Sequence, residues 1–336
     1  MAAMTAYPAQ TRYIARACAK LSYRFTDLDN GGGYLFAISD GKHEIVSGAG
    51  PICSFPLNSA GAFGIAKDKF HTNAVLRHAR LPVIDSALFF LSDEYKKMRA
   101  PGREIENAIA HFARMKKPVF AKPNQAARGN FAEVIADEAT FQNYLARVAT
   151  RFDTILLQPV IDGTEHRVFC IDDKAIFTTK KADFALVGDG RATLAELIRA
   201  HNAELKGTGV SGIDETAALA ALVTHQRADG HVPAKGERIV LPGRRNLSAG
   251  SDVADFTTAV PPALADVALR AAEAIGLRVA GVDVFDVSPA RDLSDLVVIE
   301  VNGNPGMQSL EAIGRDDLID DIWTTILQRA FADMRA

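Results

Sequence analysis

Two short apolar runs near the C-terminal end finish in side chains suited to holding a hard cation. One is Gly281-Val282-Asp283-Val284-Phe285-Asp286-Val287. The other is Val297-Val298-Ile299-Glu300-Val301-Asn302, followed by Gly303-Asn304-Pro305-Gly306. Both read as β-strands, in which residues two apart project from one face. Glu300 and Asn302 therefore point the same way at the end of their strand, and Asp283 on a neighbouring strand could complete an all-oxygen set. Hard oxygen ligands suit Mg²⁺, which usually also takes waters and nucleotide phosphates. Taken alone, either run is equally a strand that ends in polar residues before an Asn-Pro-Gly turn.

Upstream residues could serve a nucleotide. Lys122 ends the apolar run Val119-Phe120-Ala121 and precedes Pro123, with Arg128-Gly129-Asn130 close behind. A lysine at such a strand end can reach phosphates, although most strand-end lysines are simply solvated. The run Leu156-Leu157-Gln158-Pro159-Val160-Ile161 can offer backbone N–H and C=O groups to an adenine. Glu165 and Arg167 share a face if a strand begins there. A carboxylate can hold ribose hydroxyls, and an arginine can neutralise charge on a transferred phosphoryl group. The plain alternative is a surface ion pair on a hairpin.

These residues need elements to hold them. Helices are expected over 13–21, 65–79, 103–115, 141–149, 193–205 and 262–275. Pro82 and Pro118 stop the second and third. Thr193 with Glu196 forms a capping box, and Gly276 ends the last. Strands are expected at 34–39 and 44–46 around Asp40-Gly41, at 118–122 and 154–157, and at 167–172 and 175–179 around Asp172-Asp173. Hairpins and crossovers are mixed, which predicts α+β lobes. Two glycine runs are decoys. Gly31-Gly32-Gly33 lacks the Lys-Ser/Thr of a P-loop, and 207–212 fits G-x-G-x-x-G but follows a helix instead of a strand.

The chain has 336 residues, 48% apolar and 24% charged, with net charge −3, as in an ordinary soluble protein without a basic field for nucleic acid. No apolar run approaches the roughly 20 residues that span a bilayer. The first ten residues lack the charged and apolar regions of a signal peptide. Cys18, Cys53 and Cys170 fit a reducing compartment, and the histidines form no zinc motif. A cytoplasmic location is expected.

Taken in order, the motifs resemble the ATP-grasp superfamily of carboxylate–amine ligases. The likeness is greatest to the ATP-grasp region of cyanophycin synthetases and bifunctional glutathione synthetases, then to ribosomal-protein glutamate ligases. It covers roughly 60–315. It begins at Ile65-Ala66-Lys67-Asp68-Lys69 and runs through Leu81-Pro82-Val83, Ala121-Lys122-Pro123 and 158–161. Val187-Gly188-Asp189-Gly190 follows, with Thr193, Glu196-Leu197-Ile198 and Asn202. Asn246-Leu247-Ser248 with Gly250, Asp255-Phe256-Thr257 and 281–306 complete it.

The resemblance implies an α+β ATP-grasp fold, two α+β lobes gripping ATP. A short N-terminal α/β segment would occupy 1–64 and a central region with the mobile lid lobe 65–157. The C-terminal lobe, 158–332, would carry the Mg²⁺ site and a helical insertion near 193–230. Lys69 and Lys122 would contact ATP phosphates. Gln158, Pro159, Val160 and Ile161 would form the adenine hinge, and Glu165 would hold the ribose. Arg167, Arg244 and Asn246 would act on the γ-phosphate and acyl phosphate. Asp283, Glu300 and Asn302 would bind two Mg²⁺, replaceable by Mn²⁺.

The sequence departs from the family at several points. Only Gly129 stands in the loop 124–131, where two or more glycines are usual, and Gln158 stands where Glu is common. Lys180-Lys181-Ala182-Asp183-Phe184 replaces an Arg-Arg-x-Pro-Ala pattern, which makes Lys180 and Lys181 candidates for substrate selection. The short N-terminal segment and the lack of a fused Mur-type domain lead us to expect a stand-alone ligase. The expected partners are a small-molecule acid and amine, or a peptide, with neither nucleic acid nor membrane, in a homo-oligomer. A peptide- or protein-modifying ligase and a non-catalytic ATP-binding regulatory protein are the alternatives.

Overall fold

The computed structural model describes residues 7–335 except 51, 54, 95, 127–128, 182–184, 205–212, 214, 216–217, 220–221, 223–229 and 241–252, and only the backbone of 181, 253 and 254. The chain opens with α1 (Ala9–Leu21), β1 (Arg24–Asp27), β2 (Leu35–Ser39), β3 (Glu44–Gly48), α2 (Ala60–Lys67) and α3 (Lys69–His78). Next come β4 (Ala87–Phe90), α4 (Ile105–Arg114), β5 (Val119–Pro123), β6 (Glu133–Ile135), α5 (Glu138–Val148) and β7 (Thr154–Pro159). Then follow β8 (Thr164–Ile171), β9 (Lys174–Lys181), β10 (Ala185–Val187), α6 (Leu194–Glu204), β11 (Arg238–Val240) and β12 (Val253–Thr257). The chain closes with α7 (Pro262–Ile275), β13 (Val279–Asp286), β14 (Leu296–Asn302), α8 (Gln308–Ala312) and α9 (Asp316–Asp333).

These elements form two compact units. The first comprises Met1–Val83, His166–Thr179 and Phe256–Ala336, the second Ile84–Glu165 and Lys180–Asp255. The units interleave because β8 and β9 each begin or end in one unit and run into the other.

In the first unit a sheet of order β12-β9-β8-β13-β14 is covered on both faces. One face packs Val168, Cys170, Ala280, Val282 and Val284 against Leu76 of α3 and the Leu264, Ala268, Ala271, Ala272 row of α7. That row recurs at helical spacing, so one side of α7 is apolar. Pro262 opens α7, and Gly276, at φ 82°, takes the left-handed cap that glycine adopts most readily. The opposite face packs Phe169, Ile171, Phe177 and Val279 with Tyr13 and Ile14 of α1 and Trp323 and Phe331 of α9. The β1-β2-β3 meander adds Phe36 and Ile38 to this core. Trp323 stacks on Phe55 at 4.8 Å.

β14 breaks strict alternation. Val298 and Val301, three residues apart, both face the α7 core. The ladder explains this: Asp283 pairs with Glu300 but Val284 pairs with Val298, leaving Ile299 as the extra residue of a β-bulge. The bulge gives both valines to the core and leaves Glu300 and Asn302 on the other face. The helix expected over 65–79 is also broken. Asp68 is extended (φ −104°, ψ 105°) and accepts the His71 N–H, so it caps α3 instead of continuing α2.

In the second unit the antiparallel sheet β4-β7-β5-β6 lays Val119, Ala121, Ile155 and Leu157 against α4 and α5, where Phe112 stacks on Phe141 at 4.2 Å. Phe120 pairs with Gln158 and Lys122 with Leu156, so these four side chains occupy the sheet face away from those helices. The antiparallel β10–β11 pair packs Leu186 and Ile239 on Leu194 and Ile198 of α6. The predicted capping box is present: the Thr193 N–H donates to Glu196 (2.8 Å) and the Glu196 N–H to Thr193 Oγ1 (3.3 Å).

Candidate active site

The β13–β14 register sets Asp283 directly opposite Glu300, with Asn302 two residues further on the same face. β8, on the other side of β13, supplies Arg167. Its guanidinium donates from Nε to Asp283 Oδ1 and from Nη2 to Oδ2, both at 2.7 Å. This two-point geometry is the strong form of an arginine–carboxylate pair. Asp283 is only 2% exposed. The break at Asp68 makes Lys69 the first residue of α3, and its buried Nζ lies 3.3 Å from Glu300 Oε1. Two carboxylates facing each other across adjacent strands repel, and here Arg167 offsets Asp283 and Lys69 offsets Glu300.

Two carboxylates and an amide on one face form a hard-oxygen set of the kind Mg²⁺ takes. The Asn302 Nδ2 is buried and makes no hydrogen bond with the described residues; as an amide donor it would take an acceptor such as a water or a phosphate oxygen, which leaves Oδ1 for a cation. Among the described residues no three His, Cys, Asp or Glu side chains converge, so waters and phosphate oxygens would fill the remaining positions. With that share, the residues fit the ion.

The strand ends are held by residues that sequence reasoning missed. Asn58, buried before α2, bonds to Arg278, Val279 and Gly303. Asn304 donates to the Gly50 (2.9 Å) and Cys53 (3.3 Å) carbonyls. A Cβ on Gly281 would lie 2.8 Å from Pro305, so only glycine lets the turn close there. Asn58 gives no local signal, because it stands before Ser59, whose Oγ caps α2, and reads as part of that cap.

Just past the turn, Glu311 accepts the Tyr13 hydroxyl (2.6 Å) and Arg12 Nη2 (2.8 Å). The Tyr13 bond, then Arg12, hold this carboxyl below the usual range against the pull of burial. A group made more acidic by folding contributes fully above about pH 4.3, its unfolded value, and loses that share as pH falls through the folded value. The gap in urea midpoint between wild type and Tyr13→Phe should therefore narrow below about pH 4.

The remaining candidates are dispersed. Glu165 is buried on β8 two residues before Arg167. In the second unit Lys122 is buried, its Nζ 5.7 Å from the centre of the Phe120 ring. Gln158 Nε2 donates to Ser86 Oγ at 2.6 Å, while its Oε1 is buried and makes no hydrogen bond with the described residues. β7 ends at Pro159, and Val160 beyond it is exposed, followed by Ile161. Lys180 pairs with Asp255 at 2.8 Å on an open surface. The Lys181 side chain, Arg128, Arg244, Asn246 and the dinucleotide-like glycine run lie outside the described residues.

Residues 229–326, which include Asp283, Glu300 and Asn302, match the RimK-like ATP-grasp domain. The fold aligns with the crystal structure of a bifunctional glutathione synthetase from Pasteurella multocida at TM-score 0.53 and 22% identity, over 96% of this chain and 44% of that one. Over residues 229–326 the chain is similar to ATP-grasp ligases. Its curated relatives include a cyanophycin synthetase from Geminocystis herdmanii, 28% identical over 265 residues, 75% of this chain. The glutathione biosynthesis bifunctional protein GshAB of Enterococcus faecalis is 29% identical over 218 residues, 60% of this chain. The chain aligns with only 29% of the length of either relative. No described helix is long and apolar enough to cross a membrane.

Proposed function

We propose that this chain is an ATP-dependent ligase that joins a carboxylate to an amine of amino-acid-like substrates. The observation that carries the reading is the opposed Asp283–Glu300 pair beside Asn302, matched by Arg167 and Lys69. A carboxylate is a poor electrophile toward an amine. Its oxygen attacks the γ-phosphorus of ATP, ADP leaves, and an acyl phosphate results. The amine nitrogen then attacks the acyl carbon, loses a proton and expels phosphate. Positioning and charge neutralisation supply most of the catalysis.

In this reading Arg167, Arg244 and Asn246 stabilise charge on the transferring phosphoryl group, and Lys69 and Lys122 hold phosphates. Residues 158–161 receive adenine through their backbone, and Glu165 holds the ribose. Asp283, Glu300 and Asn302 hold two Mg²⁺, or Mn²⁺, which supply further charge neutralisation when bound. Lys180 and Lys181 select the second substrate by charge. The partners are a small acid and amine, the location is cytoplasmic, and the assembly is a homo-oligomer.

The test measures ADP release with paired amino acids and dipeptides, with mass spectrometry of products. Acid, ATP and hydroxylamine alone should yield a hydroxamate, because the acyl phosphate forms before the amine reacts. Turnover restricted to peptides would favour the peptide-modifying reading. Nucleotide binding without acid-dependent ADP release from any panel would leave a non-catalytic ATP-binding protein.

A further inference from the structure

We infer that Asn58 is a positioning residue for the cation set, fixing the register of the two strands that carry it. This rests on the reading of Asp283, Glu300 and Asn302 as metal ligands. An asparagine amide has two donor hydrogens and two acceptor lone pairs, and Asn58 uses all four. Its Oδ1 accepts the Arg278 and Val279 N–H groups, both at 2.9 Å. Its Nδ2 donates to the Val279 carbonyl at 2.8 Å and the Gly303 carbonyl at 2.9 Å. Val279 opens β13, and Gly303 directly follows the last residue of β14. One buried side chain thus ties the two strand ends together where backbone pairing stops.

The position matters because the ladder is short there. Between the bulge at Ile299 and the turn lie only three pairs: Asp283–Glu300, Val282–Val301 and Gly281–Asn302. Those three pairs carry every proposed oxygen ligand. A bulge interrupts register at one end, so register must be held at the other. Asn58 holds it there, and Asn304, tied to Gly50 and Cys53, holds the next turn residue from the same N-terminal segment. A slip at Gly303 displaces Asn302 first and Glu300 next.

The experiment reads Mn²⁺ binding by electron paramagnetic resonance, with and without a non-hydrolysable ATP analogue, and the Mn²⁺ dependence of ADP release. Asn58→Asp keeps the side-chain shape and the acceptor role but sets oxygen against the Val279 and Gly303 carbonyls. Mn²⁺ affinity of the folded protein should fall about 10-fold or more, the usual effect of removing a group that orients metal ligands. Leu327→Ala, in the fully buried core of α9, is the reference for plain destabilisation and should keep wild-type Mn²⁺ affinity. If Asn58→Asp does not fold, Asn58→Ser, which retains one donor, is judged the same way. Wild-type Mn²⁺ affinity in a folded Asn58 variant overturns the inference alone. An equal loss in Leu327→Ala also overturns it, since any loosening of the unit would then suffice. Wild-type Mn²⁺ affinity in Glu300→Gln, or no Mn²⁺ binding by the wild type, overturns the ligand reading as well.

Discussion

Arg167→Met is expected to destabilise the protein by about 3 kcal/mol when no divalent cation is present. It should also slow acid-dependent ADP release by on the order of 10²- to 10³-fold. Both effects come from one geometry. Arg167 donates to both oxygens of Asp283, and Asp283 is almost wholly buried with Glu300 opposite. Removing the guanidinium leaves two facing carboxylates with one fewer neutralising charge. The figure is at the low end for a broken buried pair because Arg167 keeps 25% of its side chain in water. Millimolar Mg²⁺ should return part of the lost stability, because a cation at the carboxylates replaces the missing charge, but should not restore the rate. Urea midpoints with and without Mg²⁺ measure the first effect and hydroxamate formation the second. Equal midpoints in wild type and variant without Mg²⁺ would show that the pair carries no net stability.

Glu300→Gln should lose at least about 10²-fold in ADP release while the protein stays folded. The amide has nearly the same volume, so packing in β14 is conserved. The charge changes have opposite signs: repulsion with Asp283 is relieved and attraction to Lys69 at 3.3 Å is lost. The thermal midpoint should accordingly move little. The divalent cation loses a charged ligand with no compensation, so activity and Mn²⁺ affinity should fall together. Full turnover in this variant would falsify the assignment of Glu300 to the cation set.

What could be read from sequence was local. Pro262 and Gly276 bracket a helix because one lacks an N–H and the other tolerates positive φ, and both act within a residue of the boundary. The Thr193–Glu196 box is equally local. Glu300 and Asn302 were placed together by strand alternation, and the register bears this out. The bulge at Ile299 was not legible, because Val297, Val298 and Ile299 are interchangeable in pattern and only the α7 core distinguishes them. The split at Asp68 was missed because apolar spacing continues across it while its side chain takes the His71 N–H. The Arg167 pairing with Asp283, 116 positions away, is decided by the order of β8 and β13 in the sheet. Asn58 meets its partners across 220 positions or more, beyond any local pattern. The helix α9, which fills the core beneath β8 and β9, was also not anticipated.

The packing of α1 on α9 has a consequence for synthesis. Tyr13, Ile14, Ala17 and Cys18 form a face covered by Trp323, Ile326, Leu327 and Phe331. Roughly 300 residues separate the two helices, so at about 5–20 residues per second a ribosome takes about 15–60 s to deliver the cover. Throughout that interval the nascent chain displays an apolar helix face whose native partner does not yet exist. A change that slows translation anywhere between α1 and α9 lengthens the exposure without altering one contact in the finished protein.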